Sequence, residues 1–155
     1  MHKLGDLVRT LSLAALGVYA GAMLTEAMIL VPFWQSVPAG EFFAWYGAND
    51  KRLLDYFGAV TSIMAVLALA ASGASLWEGH PGRWYTVFTA AVAVGLVLLF
   101  PFYFAEVNAA FAASAIPAAE LPAALSSWAL VHWIRTIFSF IALGAALLGS
   151  RTANT

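Results

Sequence analysis

Cysteine is absent from the 155 residues, which excludes disulfides, thiolate metal sites, iron–sulfur clusters and redox dithiols. Charge is nearly as scarce. Asp, Glu, Lys and Arg make up 10% of the chain, against roughly 25% in a soluble domain. A formal net charge of −1 gives a nucleic-acid backbone nothing to hold. What is present is apolar: 63% of residues are hydrophobic and the mean hydropathy is +0.85. A soluble domain of this length buries only about 70% of its unfolded surface, too little to hide that much hydrocarbon. Soluble globular enzymes, disordered chains and nucleic-acid binders are excluded, and the chain reads as an integral membrane protein.

A spanning helix needs about 20 predominantly apolar residues. Four stretches qualify, near 7–34, 53–77, 84–112 and 127–149. They leave only short connections and ends of 1–155, so the expected fold is all-α, a single transmembrane domain built as a four-helix bundle. Lys3, Arg9 and the small residues Ala20, Gly21 and Ala22 resemble a signal peptide, yet the apolar run continues to Val31, and an uncleaved first helix is expected. Lys3, Arg9, Arg83 and Arg151 fall on the side that holds both termini, and only Lys51 and Arg52 on the other. The positive-inside rule then puts both termini in the cytoplasm and the chain in an inner, cytoplasmic membrane. Trp34, Trp45, Trp77, Trp84 and Trp128 stand near span ends, where amphipathic rings prefer to sit.

The connection 35–52 is expected as an extracytoplasmic loop. Phe42, Phe43, Trp45 and Tyr46 make it apolar and aromatic before Asn49 to Arg52 turn it polar. It either lies on the membrane surface as a short amphipathic helix or folds over the bundle mouth as a lid.

An ionisable side chain inside a span costs roughly 2.5–3.5 kcal/mol on insertion scales. Glu26, Glu106, His132 and Arg135 nevertheless lie inside spans, and Asp55 lies near a mouth. With alternating helix directions and about 1.5 Å per residue, all five fall within about 12 Å of one membrane face. The opposite half of the bundle offers no comparable group. His132, Arg135, Thr136 and Ser139 share one helical face, and Asp55, Gly58, Ala59 and Ser62 share another. Tyr103 stands one turn before Glu106, within reach of its carboxylate. Asn108 points to a different neighbour from Glu106. Pro101 is expected to kink the third helix, and Gly17 and Gly21 form a G-x-x-x-G pair that permits close helix approach.

Two carboxylates and an imidazole suit iron, copper, manganese or zinc, and inward-facing Glu and His ligands are how helix bundles build dimetal sites. Glu26, Glu106 and His132 are therefore the candidate metal ligands. Without a metal, desolvation makes a carboxylate there a stronger base. Arg135 would then hold an anion or oxyanion, and Tyr103, Tyr46 and Asp55 would complete the catalytic set. Haem is disfavoured because His132 is the sole histidine within a span, and no flavin motif is evident. Each residue also has a structural reading. Glu26 or Glu106 pairs with Arg135 to lock the bundle, His132 bonds a neighbouring helix, and Asp55 favours a helix dipole. Lys3 and Arg9 read as topology charges, and His2 and His80 as solvent residues. Three acids against one Arg leave the layer negative, which either a proton or a bound cation corrects.

Gly21-Ala-Met-Leu-Thr-Glu26-Ala-Met-Ile-Leu-Val-Pro32, Glu106-Val-Asn108, and Trp128 with His132-Trp-Ile-Arg135-Thr136 together resemble a family of small four-helix membrane proteins that includes the anthrone oxygenases. Some members of that family oxidise anthrones to anthraquinones with dioxygen. The resemblance implies a membrane oxygenase acting on a small hydrophobic or aromatic substrate, and the ligand assignment rests on depth alone. Two other classes stay open: a proton- or ion-translocating protein, and a non-catalytic subunit of a larger membrane enzyme, in which Gly17 and Gly21 face a partner helix or a second copy. An apolar half-bundle away from the acids counts against translocation, as does the lack of room for alternating access in four spans.

Overall fold

The computed structural model describes residues 2–152, and every regular element among them is helical. The α-helices are α1 (His2–Thr25), α2 (Val31–Ser36), α3 (Ala39–Trp77), α4 (Arg83–Leu99), α5 (Ala105–Ala112) and α6 (Leu121–Arg151). A π-helical turn, Glu26–Leu30, joins α1 to α2, and a second, Phe100–Phe104, joins α4 to α5. The result is four helices long and apolar enough to cross a membrane, Lys3–Ser36, Ala39–Trp77, Arg83–Ala112 and Leu121–Arg151. The chain is an all-α, multi-pass membrane bundle.

The crossings alternate in direction. At one end Arg9 meets Glu78, and the backbones of Gly82 and Gly149 touch so closely that neither position has room for a side chain. At the other end Trp34, Phe42, Phe111 and Trp128 pack in one aromatic cluster. Both ends of the described chain thus lie together, and we call the two poles the termini end and the loop end. Between them lies a core of Leu16, Met23, Met64, Ala68, Ala93 and Leu96.

A proline accompanies each π turn. Pro101 lies within the second; it has no N–H to give, and its ring crowds the carbonyl one turn back. The chain answers by widening the turn, so the kink expected at Pro101 takes the form of a π turn. Pro32 follows the first turn by two residues. Widened turns recur at functional sites, and here both face the same part of the bundle.

Residues 39–52 differ from the expected loop. They are the first four turns of α3, and only Val37 and Pro38 separate them from α2. At about 1.5 Å per residue α3 is about 58 Å long, nearly twice the ~30 Å hydrocarbon core. Its first turns therefore stand above the bundle, where Phe42 and Tyr46 are buried against Trp34 and Phe111. The aromatic segment caps the mouth as part of a rigid helix.

The α3–α4 and α5–α6 turns close the same way. His80 N–H reaches Ser75 O and Gly79 N–H reaches Leu76 O, with Gly79 left-handed at φ 63°. Ala115 and Ser114 repeat the pattern on Ala110 and Phe111, with Ser114 at φ 53°. This paired closure satisfies the last carbonyls of each helix. Gly17 and Gly21 make no close helix approach within this chain: both are exposed, as on a face open to a partner helix, and a Cβ at either meets nothing within 4 Å.

Candidate functional site

The site is built where the two π turns face α6. Glu26, the first residue of the first π turn, is 4% exposed and accepts a hydrogen bond from Arg135 Nη2 at 2.9 Å. Phe104, the last residue of the second, lies under the Arg135 guanidinium, 4.4 Å from ring centroid to Cζ. Cation–π contact and ion pair together fix the plane of the guanidinium.

His132 stands behind this pair, fully buried. Its Nε2 is 2.9 Å from the Met23 carbonyl and its Nδ1 is 2.7 Å from Arg135 Nη2. A carbonyl only accepts and a guanidinium only donates, so the proton resides on Nε2 and Nδ1 accepts. The geometry thus specifies a neutral imidazole of one tautomer that holds Arg135. Met23 lies one turn before Glu26, where the π turn breaks the regular ladder. Trp128 stacks on the His132 ring at 5.0 Å and 15°, and its indole N–H donates to Asn108 Oδ1 at 2.8 Å. One chain of contacts therefore runs from α5 through α6 to α1.

The Glu26–Arg135 pair forms part of the wall of a cavity of about 550 Å³, within the usual range for small-molecule sites. Most of the wall is apolar: Leu53, Phe57, Leu96, Val97, Phe100 and Ala109 among others, with Tyr46 and Asp50 at its upper end and Trp128 and Asn108 to one side. Three atoms of the pair are without a protein partner. Arg135 Nε is buried and unpaired. Arg135 Nη1 and Glu26 Oε1 take part in no hydrogen bond, although both residues line the cavity. A donor and an acceptor are left over in a pair that lines one space.

The candidate residues separate sharply. Glu26, His132 and Arg135 come together; Glu106 does not. It lies on the exposed side of α5, and no hydrogen bond joins it to Tyr103. Tyr103 sits edge-on to Phe104 at 5.2 Å and does not line the cavity. Asp55 is exposed and pairs with Lys51 at 2.7 Å, so it is a surface ion pair. The expected ligand trio of Glu26, Glu106 and His132 is thus not assembled. Among the described residues no three His, Cys, Asp or Glu side chains stand close enough to hold a metal, and the cation facing Glu26 is Arg135. That donor set does not fit iron, copper, manganese or zinc.

Two participants, Phe104 and Met23, are not legible in the sequence. Phe104 carried no signal beyond its nearness to Pro101. Met23 acts through a backbone carbonyl, which no side-chain pattern reveals. The spacing on the third helix turns Asn108 toward a neighbour other than that of Glu106, and Trp128 is that neighbour.

The termini end also holds an ion-pair layer, where none was expected. Arg9 is no mere topology charge: it bonds Glu78 at 2.9 Å and Asp6 at 2.7 Å. Ser12, Ser72, Ser75 and Thr89 are buried between the helices of that half. His80 is half-buried and accepts the Gly82 N–H on Nδ1. Burial, then the nearby Arg9 charge, hold its pKa below the ordinary value, with Asp6 and Glu78 opposing. The His2 side chain lies outside the described residues.

No protein-family model matches this chain, and neither does any curated protein or solved structure.

Proposed function

We propose that this chain is a membrane-embedded oxidoreductase of the oxygenase type, acting on a small hydrophobic or aromatic molecule bound against Glu26 and Arg135. One observation supports the reading: both residues of the ion pair line a largely apolar cavity, and a carboxylate oxygen and a guanidinium nitrogen of the pair take part in no hydrogen bond. A carboxylate in that position accepts a proton from an activated C–H or O–H, and the guanidinium beside it holds the oxyanion that results. His132 positions Arg135 rather than touching substrate. Tyr46, on the cavity wall, is placed to return a proton.

The resemblance to anthrone oxygenases supplies the reaction. A methylene between aromatic rings gives its proton to Glu26, and the electron-rich carbon adds dioxygen. The hydroperoxide then loses water, so that one methylene and one dioxygen give one ketone and one water. Dioxygen is the only oxidant required. The charge asymmetry of the connections orients the bundle with its termini in the cytoplasm and the site near the outer face.

Dioxygen uptake by nanodisc-embedded protein supplied with anthrone tests the reading. We expect one ketone per dioxygen consumed, and a rate about 100-fold lower or worse in Glu26→Gln, the usual weight of a positioned base. A rate equal to that of empty nanodiscs, or one indifferent to Glu26→Gln, would overturn it.

A further inference from the structure

We propose that the cavity is a side entrance from the lipid, between α3 and the α4–α5 helix, which admits lipid-soluble weak acids and seats their acidic oxygen between Glu26 and Arg135. This deepens the reading above and rests on the same site.

Ser62, Phe100 and Pro101 line the cavity, are exposed, and lie well inside helices long enough to cross a membrane, so in a bilayer the rim they form opens toward acyl chains. From Asp50 to Ser62 the cavity follows α3 for about 18 Å. The gap exists because small residues face it: Gly58 on α3, and Ala105 and Ala109 on α5. A Cβ built on Gly58 meets nothing within 4 Å, so the space beside this glycine is open.

Glu26 and Arg135 neutralise each other as they stand. An incoming anion would have to cross hydrocarbon as an ion, and on arrival it would leave one buried charge uncompensated. A weak acid in its protonated form avoids both penalties. Once seated, it shares its proton with Glu26 Oε1 while its oxygen accepts from Arg135 Nη1. A lipid tail would satisfy the apolar walls but leave both polar atoms unpaired, which favours the acid over bulk lipid.

The test uses the full chain in nanodiscs, with β-naphthol and dodecanoic acid as probes and β-naphthyl methyl ether as the non-acidic control. A saturable rise in Tm measures binding by mass action. We expect at least one of the acids to bind, and the ether to bind about tenfold more weakly or worse than β-naphthol if the naphthol is the acid that binds, from the loss of a charge-assisted hydrogen bond. Gly58→Phe and Ala109→Phe fill the gap from opposite walls and should each abolish the shift. Ala70→Phe, on an exposed position of α3 away from the cavity, should leave it intact. Absence of saturable binding by both acids, binding of the ether as tight as that of the naphthol, or binding that survives both filling substitutions overturns the proposal. Acid binding that is lost on filling, without any dioxygen uptake, would overturn only the oxygenase reading. Uptake that persists when the gap is filled would overturn only the side entrance.

Discussion

Two arginine–glutamate pairs, each closing at 2.9 Å, tie the first helix to another, and they lie at opposite poles of the bundle. At the termini end Arg9 faces two carboxylates, Glu78 and Asp6. At the loop end Arg135 faces one carboxylate and a neutral imidazole, with Nη1 left over and a cavity of about 550 Å³ in front of it. The first arrangement uses its charges on one another. The second leaves an acceptor and a donor unused in a pair that lines a space a small molecule can fill. A buried ion pair is weak evidence of anything by itself, and what distinguishes the loop end is the pair of unsatisfied atoms on a cavity wall.

The comparison can be broken most directly by removing one partner. Arg135→Ala strands Glu26 without its cation and should cost about 3–5 kcal/mol of stability, together with all substrate-dependent dioxygen uptake. Reversible unfolding in detergent and the oxygen electrode measure the two losses. Arg9→Ala is the matched substitution at the other pole. It removes charge-assisted hydrogen bonds from a partly exposed cluster and should cost about 1.5–3 kcal/mol, with the uptake rate unchanged. A fall in rate as large as that of Arg135→Ala would make the two poles functionally alike.

The smallest effect belongs to His80, beside Arg9. Its native pKa lies below the unfolded one because burial and the Arg9 charge disfavour the imidazolium. The unfolded state then binds more protons, so the stabilisation is complete above about pH 6.5 and is lost as pH falls through that value toward the lowered native pKa. The drop in Tm from pH 7.5 to 5.5 should be shallower in His80→Gln than in the parent chain. An equal drop would place the titration elsewhere.

Depth was legible in the sequence, and rotation was not. Residue spacing along four alternating helices placed Glu26, His132 and Arg135 in one layer, where the structure has them. The same spacing could not say which way Glu106 faces, because the π turn at Phe100–Phe104 inserts extra rotation just before it. Tyr103 lies inside that turn, so the one-turn reach expected toward Glu106 fails for the same reason. The i, i+3 and i, i+4 relations held on α6, where the helix is regular from Leu121 to Arg151. For 39–52 the aromatic composition reads as a short surface helix or a lid, and what it hides is the unbroken continuation of that helix into the second span. Arg9 was misread because its partner Glu78 is distant in sequence and only the antiparallel return of α3 brings it near.

The measurement that bears most directly on the central claim is the double variant Glu26→Met with Arg135→Leu, assayed for Tm and for acid binding in nanodiscs. Apolar replacement of a whole buried ion pair is often neutral or stabilising. We expect a folded protein, with Tm within a few degrees of the parent on the scale of about 1 kcal/mol, and no binding of β-naphthol or dodecanoic acid. A variant that fails to fold would make the pair a structural lock, and one that folds and still binds the acids as the parent does would move the site elsewhere.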